Sequence, residues 1–429
     1  MSLKKIENAR LNEELYSYQF KNGLNVFYVP KPHYTIKYGI FATNYGSNDN
    51  RFVPMNENEF INAPPGVAHF LEHKLFEEEE GNIFNKFSKL GSYLNAYTNF
   101  NQTAYLFSCT DKFFENLDLL VKFVQNPYFT DENVNKEKGI IEQEIKMYED
   151  NANWRVFFNC LNGLYYNHPV KTDIAGTVKS INKIDKEVLY KCYNTFYHPR
   201  NMVIFLVGDI DFDKAIKQIE DSMNKDIKIL DEGTKKDYPN EPKDVKVDYI
   251  EQKLSVAKPL FTLGFKDTDI GYEGEKLVKK EICTTILLDI LFSKSSKFYQ
   301  DIFDLELING PFSFQYVGQK DYGHSLISGE SKNPKELADR IIKYINETSS
   351  EAIDKADFER TKMKFIGYHI MDFNSVEYIA NNFISYFFNN FILFDYIDIL
   401  ENIDYDDIIS RLNEHLNTKN YTLSVINPL

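Results

Sequence analysis

The second half of this 429-residue chain repeats the first in outline, and that repetition narrows the possible folds more than any other feature. Leu260–Phe265 answers Ile36–Thr43, and Lys276–Phe292 stands where Val67–Phe76 stands in the first half. Phe312–Val317 and Ser325–Ser328 answer the stretches around Asn95 and Tyr105. Ala338–Ile345 and Asp357–Phe373 answer the two helical patterns that follow, and Thr422–Ile426 answers Met202–Val207. The offset is roughly 210–230 residues, too long for a solenoid repeat and suited to a duplicated domain. Strand and helix patterns mix in each half, so the expected class is α+β, with two homologous α/β-sandwich domains related by duplication. Residues 1–223 and 247–429 would form the two domains. Residues 224–246 are charged and poor in aromatics, and contain Gly233, Pro239 and Pro242, as a linker would.

Only the first copy carries the residues of a metal site. In Gly66-Val67-Ala68-His69-Phe70-Leu71-Glu72-His73-Lys74-Leu75-Phe76 the apolar spacing is helical. His69 and His73 then lie at i and i+4 on one face, with Glu72 beside them. Two neutral imidazoles at that spacing can hold two corners of a zinc tetrahedron, and the neighbouring carboxylate can accept a proton from water. The order is His-x-x-Glu-His, the inverse of His-Glu-x-x-His. A helix with two histidines bonded to backbone or carboxylate would show the same letters, so further donors matter.

Such a site needs one more protein ligand, and none lies nearby in sequence. Residues 131–148 read as a helix carrying Glu137, Glu142 and Glu144. Glu137 and Glu144 are seven positions apart and share a face, whereas Glu142 is turned away. Glu144 can ligate a metal while Glu137, two turns back, fixes the geometry or shares a proton. A merely solvated glutamate-rich face would look alike in sequence.

Leu24–Val29 and Ile36–Asn44 are expected to pair as strands around a turn at Pro30–His33. The Glu77–Glu80 run suggests a solvated patch. His168-Pro169 and His198-Pro199 read as turns, and His324, His369 and His415 as core or surface residues. Net charge is −15, which disfavours nucleic acid and anionic membrane as partners. Apolar runs such as Met202–Val207 and Thr285–Phe292 are too short to span a bilayer, and residues 1–8 lack the apolar stretch of a signal peptide. Cys109, Cys160, Cys192 and Cys283 have no redox or ligand spacing, so reduced core thiols and a cytoplasmic setting are expected.

Taken in order, five stretches resemble one family: Ala68-His69-Phe70-Leu71-Glu72-His73; Leu94-Asn95-Ala96-Tyr97-Thr98; Glu137 with Glu144; Tyr197-His198-Pro199-Arg200-Asn201-Met202; and Gly208-Asp209. Together they are similar to the pitrilysin (insulinase-like) family of inverzincin metallopeptidases, in the short two-domain form of the mitochondrial processing peptidase. The resemblance spans nearly the whole chain. It implies Zn2+ held by His69, His73 and Glu144, Glu72 as catalytic base, and Glu137 as the carboxylate behind the ligands. It further implies that a peptide substrate adds to the strand bearing Asn95 and Ala96, and that two related chains close around a chamber. One departure stands out. The family's second domain supplies an Arg and, a few residues on, a Tyr that grip the substrate; here Phe303 and Asn309 occupy those places. Losing one such donor typically costs about 10²–10³ in rate. The expectation is therefore a zinc peptidase for short or unfolded peptides that forms the zinc-bearing half of a heterodimer. The alternative is a silent binding or assembly subunit with a vestigial or structural metal site.

Overall fold

A computed structural model of the chain describes residues 4–224, 233–348 and 353–429. It divides into two compact units, each built on one main sheet. In the first unit, seven strands lie in the order Lys4–Asn8, Glu13–Gln19, Asn25–Pro30, Met202–Gly208, Lys37–Thr43, Thr103–Cys109 and Tyr93–Thr98. All neighbours are antiparallel except Asn25–Pro30 and Met202–Gly208, which run parallel.

This order corrects the expected hairpin around Pro30–His33. Asn25–Pro30 and Lys37–Thr43 do not pair with each other, because Met202–Gly208 lies between them. Every residue of Met202–Gly208 is buried, as its unbroken apolar run demands of a strand covered on both faces. The partly polar Lys4–Asn8 and Tyr93–Thr98 take the two edges.

The second unit has five main strands, in the order Tyr249–Leu254, Tyr421–Pro428, Leu260–Lys266, Gly323–Glu330 and Phe312–Gly318. Its first pair is parallel and the others antiparallel. Both order and polarity reproduce those of Asn25–Pro30 through Tyr93–Thr98 in the first unit. The duplicated α+β architecture is therefore present strand by strand.

The compact units are not the contiguous halves 1–223 and 247–429. The first comprises Met1–Ile145, Asp173–Tyr238 and Asp372–Phe388; the second comprises Lys146–Thr172, Pro239–Met371 and Asn389–Leu429. Each half thus contributes a helix to the other's sheet. Ala152–Leu164 packs on Leu260–Lys266 and Tyr421–Pro428, and Val376–Phe388 packs on Met202–Gly208 and Lys37–Thr43. Shape decides both placements. A Cβ on Gly163 would come within 2.3 Å of Thr422, and one on Gly264 within 2.6 Å of Cys160, so only glycine permits that approach. In the first unit Phe383 sits 4.3 Å from Phe205 and 4.7 Å from Phe27, ring centre to ring centre. Fully burying a phenylalanine contributes about 1.5–3 kcal/mol.

The change of unit at Tyr238–Pro239 falls inside the stretch 224–246 read as a linker. Residues 225–232 of that stretch lie outside the described residues. The rest is seated: Lys236 pairs with Asp49 at 2.9 Å, and Glu241 accepts from Lys266 at 2.6 Å. Among the described residues, no single helix is long and apolar enough to cross a membrane. All four cysteines are buried and unpaired.

Candidate metal centre

The motif helix, Val67–Leu75, starts at Gly66, whose φ of 92° is left-handed. A Cβ there would lie 2.4 Å from the Ala175 carbonyl oxygen, so glycine is required on two counts. Val67, Phe70, Leu71 and Leu75 enter the core of the first unit and hold the helix in place. The opposite partner is the helix Asp131–Asp150, buried along Val134, Glu137, Ile141 and Ile145. Glu137 therefore sits on the inward seam, and Glu144 follows Ile141 by three positions on the same side.

His69, His73 and Glu144 converge, each offering a donor atom within 4.8 Å of the others. His69 Nε2 is 3.7 Å from Glu144 Oε1, and His73 Nε2 is 3.6 Å from Glu144 Oε2. Bonds of about 2 Å from a tetrahedral centre would set donors roughly 3.3 Å apart, so two nitrogens and a carboxylate at this spacing fit zinc. Glu137 lies behind them, with Oε1 3.0 Å from His73 Nδ1. A carboxylate there fixes the imidazole with its proton on Nδ1 and the Nε2 lone pair free for a metal. His69 Nδ1 is buried with no hydrogen-bond partner among the described residues.

Burial, helped by the charge of His73, pulls the His69 pKa down to about 3, so this imidazole is neutral near pH 7. Burial opposes protonation of His73 too, but the bond to Glu137 and the charges of Glu72, Glu137 and Glu144 outweigh it and raise its pKa. Glu72 is also raised, chiefly by burial. A carboxylate moved upward in this way is a better proton acceptor for work near neutrality. Its Oε2 accepts from Thr98 Oγ1 at 2.9 Å, tying it to the edge strand Tyr93–Thr98.

Asn95 and Ala96 both lie on that strand but face opposite ways. Ala96 packs against the core on the side of the motif helix, and Asn95 is exposed on the other. Thr103–Cys109 is the strand's one neighbour in the sheet. Asn99 N–H donates to the Gln102 carbonyl at 2.9 Å. Antiparallel alternation from that bond turns the N–H and C=O of Leu94, Ala96 and Thr98 outward, where an added strand would pair. Phe303 and Asn309 belong to the second unit. Phe303 is half exposed and stacked on Tyr299, and Asn309 Oδ1 accepts from Lys258 at 2.9 Å.

Three participants carried no sequence signal of their own. Lys74 is fully buried and reaches both Glu77 and Glu137, the latter at 3.7 Å. A buried ammonium must be paired, so Glu77 leaves the expected solvated patch to serve it; Glu79 and Glu80 remain exposed. Thr98 is the third. The remaining histidines behave as turn or core residues: His168 Nδ1 accepts from Val170 N–H, His198 Nδ1 accepts from Arg200 N–H, and His324 bonds the Tyr165 hydroxyl.

Residues 55–178 match the family described as Insulinase (Peptidase family M16), and residues 183–365 match the Peptidase M16 inactive domain. The chain is 41% identical to the uncharacterised zinc protease YmfH of Bacillus subtilis, over 99% of each protein. It is 29% identical to the beta subunit of the mitochondrial-processing peptidase of Caenorhabditis elegans, over 38% of this chain and 36% of that one. The crystal structure of an M16-like peptidase from Alicyclobacillus acidocaldarius superimposes with a TM-score of 0.92 at 35% identity, covering 100% of this chain and 99% of the other. With the fold, the inverted motif and matches of this extent in agreement, the chain belongs to peptidase family M16, the insulinase family.

Proposed function

We propose that the chain is a zinc-dependent endopeptidase for short or unfolded peptides, and the zinc-bearing half of a two-chain enzyme. The observation carrying this reading is the meeting of His69, His73 and Glu144, with Glu72 held between them and the free edge of Tyr93–Thr98. His69, His73 and Glu144 would hold the ion, with Glu137 and Lys74 behind them. Zn2+ bound there would lower the pKa of a water and polarise a peptide carbonyl.

The chain's own groups do the rest. The outward N–H and C=O of Ala96 align an extended peptide beside the strand. Glu72 accepts the water proton as the oxygen attacks the carbonyl carbon. It then gives that proton to the amide nitrogen as the C–N bond breaks, ending ionised as it began. Glu137 keeps the His73 ring oriented throughout.

Phe303 and Asn309 favour dependence on a related chain that carries the missing Arg and Tyr, and they equally suit a subunit that binds peptides without cutting them. A cytoplasmic setting draws support from four buried, unpaired cysteines, and the net charge of −15 speaks against a nucleic-acid partner. Metal analysis combined with cleavage of an unfolded peptide, with and without the chain that co-purifies from the native host, tests the reading. One zinc per chain and hydrolysis that rises about 10²–10³-fold with the partner are expected. Zinc-loaded protein that cuts nothing even with its partner would leave the silent-subunit reading. Protein that takes up no zinc would remove the site.

A further inference from the structure

A groove of about 650 Å³ lies on the other face of the strand Tyr93–Thr98. Tyr93, Asn95 and Tyr97 line it, the alternates of Leu94, Ala96 and Thr98, which face the motif helix. Across from them stands the exchanged helix Val376–Phe388, contributing Glu377 and Asn381, with Tyr38 beside them. One strand thus has the metal centre on one face and this groove on the other. A peptide paired to its edge alternates in the same way. Side chains level with Ala96 project on the catalytic side, and those level with Asn95 and Tyr97 project on the face that carries the groove.

The lining carries one carboxylate, that of Glu377, among amide and hydroxyl groups. Glu377 is exposed and forms no ion pair among the described residues, and the lining includes no Lys, Arg or His. Asn381 Nδ2 is committed to the Tyr38 hydroxyl at 3.2 Å and to the Glu377 carbonyl at 2.8 Å. Its Oδ1 is buried with no partner among the described residues. The Gln102 amide donates to the Tyr97 hydroxyl at 3.0 Å, and the Tyr93 ring is 60% exposed. Lysine and arginine carry donors only, and their cations are drawn to aromatic faces. An acidic side chain would meet Glu377, and an aliphatic one would gain nothing from its charge.

We propose that this groove is a specificity subsite for a lysine or arginine side chain of the bound peptide, at positions alternate to the residue held at Ala96. The proposal rests on the peptidase reading above and names its substrate class. It is tested on the full-length Glu72→Gln chain, zinc-loaded and with its co-purifying partner, by fluorescence anisotropy. The probes are extended peptides differing at one position among lysine, norleucine and glutamate. Lysine should bind roughly three- to thirtyfold tighter than norleucine at alternate positions only. Glu377→Gln should remove most of that preference, and Asn381→Leu part of it, with thermal midpoints near that of the parent. Peptides that bind with no preference for lysine, or a preference that survives Glu377→Gln, overturn the subsite and leave the peptidase reading standing. Failure to bind any peptide, with failure of the parent chain and its partner to cut any, overturns both.

Discussion

Both units bury charge beside the helix that follows corresponding strands, Lys37–Thr43 in the first and Leu260–Lys266 in the second, yet they resolve it in opposite ways. In the second unit Asp267 accepts from Arg411 at 2.5 Å and from the Tyr316 hydroxyl at 2.7 Å, with Lys280 at 3.1 Å. Burial would raise its pKa, but His415, Arg411 and Lys280 together hold it well below the usual carboxylate range. That cage is closed, cation against anion. In the first unit donor atoms of His69, His73 and Glu144 gather within 4.8 Å of one another, and the Lys74 ammonium is engaged behind them by Glu77 and Glu137. The counterpart of the motif helix, Gly274–Phe292, buries Ile282, Ile286 and Leu287 instead. The same scaffold therefore holds a charge-paired ion cluster in one copy and a convergent set of metal-ligating donors in the other.

Substitutions at four positions and one titration bear on that contrast. His73→Ala removes a donor from the convergent set and should abolish zinc binding, read as loss of stoichiometric metal by elemental analysis. Retained zinc would mean that the donors of the first unit are not the site. Glu72→Gln should keep the metal and lower kcat/KM by about 10²–10⁴, as expected for a lost general base; undiminished turnover would strip Glu72 of that role. Arg411→Met opens the closed cage and leaves Asp267 buried without its main cation, which should cost about 3–5 kcal/mol in denaturant unfolding. Zinc affinity should not follow it, since the two clusters lie in separate units. Lys74→Met should weaken zinc binding by about 10–100-fold, the usual scale for groups that orient ligands, while Lys74→Arg recovers part of the loss. The smallest effect concerns acid. Because the His73 pKa is raised above 6.5, its proton competes with metal on the alkaline side of that value. On acidification zinc affinity should therefore begin to fall while the pH is still above 6.5 and keep falling below it, and chelator competition across pH 5–8 would reveal a flat profile if His73 takes no part.

The halves differ also in how plainly they could be read before folding. Local period exposed His69 and His73 at once, because four residues bring two side chains onto one helical face. Seven residues did the same for Glu137 and Glu144, although their burial came from the seam Val134, Ile141 and Ile145, which composition hides. Lys74 was opaque: a lysine after an apolar run reads as solvated, and only the arrival of Glu77 and Glu137 lets it stay inside. The place of Met202–Gly208 between two earlier strands was opaque too, since pairing across so much chain leaves no local mark. Ala152–Leu164 and Val376–Phe388 each pack on a sheet built largely from the other half of the chain, and nothing local in either segment names that sheet.

That exchange of helices reaches into synthesis. Every residue of the metal cluster has been translated by position 144, yet the aromatic face of Phe27 and Phe205 stays bare until Val376–Phe388 emerges from the ribosome. A fragment stopped before that helix would hold all the donors and leave a greasy sheet open to aggregation. The part of the molecule that begins first is thus completed almost last.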